Sequence, residues 1–156
     1  MPLVATLIAD GVIIDALTNR LSVLNLFDTW TVREVPGVLS LASVVTIYET
    51  EADRPLDHFE RVRIVAPDGD TTVMRSLARI RSPPRGADGP FVHASVHFID
   101  GVHVRTFGLY SIIVDHAASE EGPWIEDVRR SVLVRKPPEA LPAPATPAVT
   151  SSSRPA

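Results

Sequence analysis

His58–Leu77 reads HFERVRIVAPDGDTTVMRSL, two runs rich in β-branched residues on either side of Pro67-Asp68-Gly69-Asp70. Branching at Cβ stiffens χ1 and fits a pleated surface better than a helical turn. In the middle, Pro67 opens a turn and Gly69 supplies the positive φ that a tight reversal needs. The stretch is a β-hairpin, and the rest of the chain repeats its grammar.

Upstream, Leu3–Ile8 continues after Gly11 as Val12–Asp15. A polar Thr18-Asn19-Arg20 turn then leads into Leu21–Phe27, giving a second hairpin. Val38–Tyr48 is the longest apolar run and, with Val44, Val45, Thr46, Ile47 and Tyr48, reads as one strand. Downstream, Arg79–Pro90 carries Pro83, Pro84, Gly86, Gly89 and Pro90 and reads as a long loop. Phe91–Phe98 alternates, which sets Ala94, Val96 and Phe98 on the inward face and His93, Ser95 and His97 on the outer one. Val102–Thr106 and Leu109–His116 follow. The last run is Val128–Arg135, with Val128, Val132 and Val134 inward and Arg129 and Arg135 outward. This gives eight or nine strands and no amphipathic helix, an all-β chain expected to form an antiparallel β-sandwich of the Ig/C2-like kind. Phe98 and Tyr110 are expected in its core.

The chain has 156 residues, 45% hydrophobic and 22% charged. Residues 1–136 read as one domain, large enough to bury a core without staples. Residues 137–156 hold six prolines, many alanines and Ser151-Ser152-Ser153. Such a composition cannot offset its ordering entropy, so this tail is expected to be disordered. With no cysteine, disulfides, zinc–thiolate sites and cysteine nucleophiles are excluded. The start MPLVATLIADGVIID lacks a basic leader-like region, and no run is long enough to span a membrane as a helix. These features lead to an expected cytoplasmic location. A net charge of −4 disfavours nucleic acid and anionic lipid as partners.

The opening LIADGVIID…NRLSVLNLFDTW resembles a bacterial family of small domains of unknown function. Ala9, Asp10, Val12, Asp15, Leu21, Phe27 and Asp28 fall at the places of that family's pattern. Pro36, the Pro67–Asp70 turn, and Gly108, Tyr110, Ile112 and Val114 also fit. The chain has Asn19-Arg20 where Gly-Lys is usual and Asn25 where Gly is usual. The resemblance implies a β-sandwich and no established activity.

Three histidines form a candidate metal site. If Ile99-Asp100-Gly101 is a three-residue hairpin loop, Phe98 opposes Val102 and Val96 opposes Val104. His97 and His103 are then cross-strand neighbours on an outer face, with His93 one step away, and imidazoles so placed can hold zinc. The plainer reading is an exposed polar face. Arg75, Arg79, Arg81 and Arg85 form a candidate anion-binding loop, since guanidinium forks suit phosphate and carboxylate. The plainer reading there is a solvated loop pairing with Glu49, Glu51, Asp53 and Asp57. Asp68, Asp70 and Asp100 are too few oxygens for calcium without other ligands. Trp30 and Trp124 read as caps on the core.

The chain has no phosphate loop, HExxH or nucleophile elbow, so no catalytic residue and no cofactor is assigned. The leading expectation is a non-catalytic binding or protein-interaction module of the bacterial cytoplasm, with a protein or small-molecule ligand. Two alternatives stand beside it: a small metal-dependent enzyme using the histidine face, and an anion or nucleic-acid binder using the Arg75–Arg85 loop.

Overall fold

A computed structural model describes residues 3–18, 20–39, 42–50, 57–81 and 91–138. Among them are eleven strands and no helix: β1 (Leu3–Ile14), β2 (Leu21–Leu26), β3 (Thr29–Thr31), β4 (Gly37–Leu39), β5 (Ala42–Thr50), β6 (Asp57–Val65), β7 (Thr72–Arg81), β8 (Phe91–Ile99), β9 (Val102–Val104), β10 (Gly108–Ala117) and β11 (Ile125–Arg135). They form a four-stranded sheet in the order β2-β1-β5-β8, a five-stranded sheet β3-β11-β10-β6-β7, and a β4-β9 ribbon. The tail from residue 139, Arg85 and most of the expected Arg79–Pro90 loop lie outside the described residues.

The hairpins expected at Leu3–Phe27 and His58–Leu77 form. β6 and β7 pair antiparallel, and Gly69 takes φ 84° in the turn between them. Asp68 stiffens that turn by accepting the amide of Asp70 at 3.0 Å, and the amide and hydroxyl of Thr71 at 2.9 and 2.6 Å. β1 and β2 pair from Ala9–Leu26 to Ile14–Leu21. Asn25 has φ 52°, a left-handed conformation that Asn tolerates better than most residues.

The three sheets share one core. Ile8, Val44 and Ile99 from the four-stranded sheet meet Val62, Ile64, Tyr110, Ile112 and Val132 from the five-stranded sheet. Leu39, Val102 and Val104 of the ribbon complete it, and Trp30 is buried against it as expected. Each fully buried large side chain contributes about 1.5–3 kcal/mol relative to exposure. The edge strands β7 and β8 stand beside each other, tied by a hydrogen bond of 3.0 Å between Ser76 Oγ and His97 Nδ1.

Four expectations need correction. Val38–Tyr48 is not one strand, because β4 and β5 belong to different sheets. β3 was not expected, and it pairs parallel with β11, so the sheets are not wholly antiparallel. Arg79 and Arg81 belong to strand β7 rather than to a loop.

The fourth correction is the parity of β8. Gly101 does take the left-handed conformation, at φ 66°, but β8 and β9 do not pair with each other. β8 pairs with β5 and β9 with β4. Across the β5–β8 ladder Val44 opposes His97, Thr46 opposes Ser95 and Tyr48 opposes His93. Directly opposed residues share a face. His93, Ser95 and His97 therefore point to the core side, while Phe98 is 59% exposed on the other. Exposing Phe98 forgoes at most a few kcal/mol. A buried carboxylate without donors costs more, and His97 is one of the donors to such a group.

Candidate functional site

That carboxylate belongs to Glu60 on β6, which has no exposed surface. Its Oε1 accepts the Thr46 hydroxyl at 3.0 Å and lies 2.6 Å from His97 Nε2. Its Oε2 accepts the Tyr48 hydroxyl. Burial alone would push Glu60 up, but the bonds from His97, Tyr48 and Thr46 outweigh it and hold the carboxyl below its ordinary value. Burial, together with the negative charge of Glu60, pushes the Tyr48 phenol well up, which keeps it a donor.

Ser76, His97 and Glu60 thus follow one another as hydroxyl, imidazole and carboxylate, the order of a nucleophile relay. Here the acid end is sealed in the core by Tyr48 and Thr46, and the chain of bonds locks β5, β6, β7 and β8 together. Beside it, His58 is buried with neither ring nitrogen bonded among the described residues. Its ring stands edge-on to Tyr48 at 5.3 Å and to His116 at 6.4 Å. His116 Nδ1 in turn lies 2.7 Å from Asp127 Oδ2. Burial lowers the pKa of His58, so its ring stays neutral.

The three histidines expected to cluster are dispersed. His97 is committed to Glu60 and Ser76. His93 lies opposite Tyr48, and His103 sits on β9 opposite Val38. The premise that His97 and His103 are cross-strand neighbours is overturned. No group of three or more histidine, aspartate or glutamate side chains among the described residues is arranged to hold a metal ion.

Of the arginines, Arg75, Arg79 and Arg81 share one face of β7. Arg79 forms a two-pronged pair with Asp57 at 2.9 and 3.1 Å, and Arg81 reaches the same carboxylate at 3.5 Å. The expected pairing with Asp57 is present, while Glu51 and Asp53 lie outside the described residues. The neighbouring Arg61 and Arg63 converge on the buried Asp115 at 2.8 and 2.7 Å, and Arg61 lies over the Trp124 ring.

A different place has the make-up of a binding site. β2 pairs with β1 only as far as Ala9–Leu26, after which the Phe27 amide donates to the Ile8 carbonyl. Among the described residues, Thr6 and Leu7 are therefore left without a paired neighbour on that side of β1. In the facing sheet β3 pairs with β11 only from Leu133 onward, so Arg130 and Ser131 are also uncovered. The two gaps coincide and leave a cavity of about 350 Å³. Its walls are Leu7, Ile8, Leu26 and Phe27, and its polar groups are Thr6, Asp28, Arg130 and Ser131.

Two of those polar groups are out of the ordinary. Thr6 is 5% exposed, and its hydroxyl has no hydrogen-bond partner among the described residues. Such a group costs about 1–3 kcal/mol of stability. Arg130 opposes Ile112, whose side chain is in the core, so it stands at a core-facing parity of β11, at the open end where it is exposed. Sequence reading missed both. The signal for Arg130 was present in Val128-x-Arg130-x-Val132-x-Val134, where a charge stands at an apolar parity. A second cavity of about 230 Å³, over the β4–β9 ribbon, includes His103 and Arg105.

Residues 4–121 match the family model of DUF6941, a family of unknown function, and the chain belongs to that family. The resemblance to a family of unknown function is thereby borne out. The matched residues include Thr6, Phe27 and Asp28, while Arg130 and Ser131 lie beyond them. No curated protein matches the chain.

Proposed function

We propose that the protein is a two-layer β-sandwich that serves as a non-catalytic binding module, and that the cavity between β1 and β11 receives a small ligand. The unpartnered hydroxyl of Thr6 carries the reading. A buried hydroxyl without a partner costs stability, and a ligand that completes its hydrogen bond recovers that cost on binding. A lining in which apolar and polar residues are equally represented, around a volume at the small end of the roughly 300–1,000 Å³ of ligand pockets, supports the same reading. The proposal extends to a bacterial cytoplasm, which the absence of cysteine fits.

A fragment set screened against the full chain by NMR tests it. Binders are expected to move the signals of Thr6, Ile8 and Phe27 together and to stabilise the fold in proportion to occupancy. Shifts scattered over other surfaces, with these three unmoved, would refute the assignment.

A further inference from the structure

We infer that the ligand is a free amino acid with an apolar side chain, held as its zwitterion. This rests on the binding site proposed above. Asp28 and Arg130 both line the cavity, yet they form no ion pair with each other, and no other ion pair of Arg130 occurs among the described residues. Asp28 Oδ1 instead accepts the Thr29 hydroxyl at 3.0 Å. Opposite charges that line one small cavity without pairing match a ligand that carries both charges itself.

Each part of the ligand has its counterpart. The Arg130 fork suits a carboxylate, which accepts two parallel N–H bonds. The Thr6 hydroxyl donates to the same carboxylate from the buried side, which supplies its missing partner. An ammonium group bonds to Asp28 at the rim. The side chain lies against Ile8 and Phe27, where it leaves water for an apolar wall.

Phosphate fits less well. It carries about −1.5 to −2 charges near neutral pH against one arginine, with Asp28 adding a like charge. An aliphatic amine without a carboxylate would leave Arg130 and Thr6 unanswered.

Titration of the full chain with L-leucine, followed by NMR at Thr6, Ile8 and the Arg130 side chain, tests the proposal. Three probes each remove one part: 4-methylpentanoate lacks the ammonium, 3-methylbutylamine lacks the carboxylate, and glycine lacks the side chain. Leucine is expected to bind at least about tenfold more tightly than each of them. Arg130→Gln and Asp28→Asn should each weaken leucine about tenfold while the melting temperature stays unchanged. If 4-methylpentanoate matches leucine, the zwitterion is wrong and the site stands. If leucine is silent while other fragments move Thr6 and Ile8, the ligand class is wrong. If nothing moves them, the site falls as well.

Discussion

His97 Nε2 lies 2.6 Å from Oε1 of Glu60, and both side chains are sealed from solvent, at 1% and 0% exposure. Removing one partner of such a pair strands the other in a medium that cannot solvate it. His97→Ala should therefore destabilise the fold by about 3–5 kcal/mol, measured by urea denaturation. Replacing both residues with apolar ones of similar volume should cost much less than the sum of the two single changes. A near-neutral His97→Ala would show that the carboxylate is satisfied without it.

Acidification should destabilise the protein in two windows. Burial holds the folded pKa of His58 below its unfolded value near 6.5, so the unfolded chain takes up a proton first. Glu60 and Asp127 oppose this shift, while His116 and His93 reinforce it. The His58 contribution is complete above about pH 6.5 and is lost as pH falls through the lowered value. Glu60 is also depressed, so its contribution is present above about pH 4.3 and fades below that. Denaturation midpoints measured across pH should fall in both windows. His58→Phe should flatten the first and spare the second, and an unchanged slope would refute a buried neutral ring.

Phe98→Ala should change stability by less than about 0.5 kcal/mol, since the ring is mostly exposed on the outer face of the four-stranded sheet. Tyr110→Ala should cost about 3–5 kcal/mol. Tyr110 is fully buried, and its hydroxyl donates to the Thr106 carbonyl at 3.0 Å. Thermal and chemical denaturation of the two variants distinguishes the faces. Equal costs would return Phe98 to the core.

Thr6→Val should raise stability by about 1 kcal/mol, because it replaces an unsatisfied hydroxyl with a methyl group of the same shape. The same change should weaken whatever the cavity holds. A loss of stability would show that the hydroxyl has a partner in the folded chain.

Local signals carried the elements well. Gly69 and Gly101 take the positive φ that their turns were expected to need, and Tyr110 is in the core. The failures lie where two parities compete. In Phe91–Ile99 the set of Ala94, Val96 and Phe98 outweighs Ser95 and Ile99 in hydrophobicity, so alternation alone turned the strand the wrong way. The deciding fact was Glu60, a distant carboxylate that needed His97. A one-residue choice of this kind moves every side chain to the other face.

The cavity was illegible for a related reason. It exists because β2 and β3 both stop short at one level, and pairing limits are set by partner strands rather than by local composition. Only Arg130 left a trace in the sequence, as a charge among valines.

The parallel pairing of β3 with β11 bears on how the protein is made. The Leu133 amide donates to the Asp28 carbonyl and the Val32 amide to the Arg135 carbonyl, which joins the early chain to its last strand. A ribosome delivers residues in order, so β1, β2 and β3 emerge long before the strand that completes them. Contacts so distant in sequence form slowly, since loop closure precedes any reward. Until β11 arrives, Arg130 and Ser131 are absent, and the β1 side of the cavity faces nothing. On the binding reading proposed above, a chain truncated before β11 should hold no ligand, so retention of one would report that synthesis had passed β11.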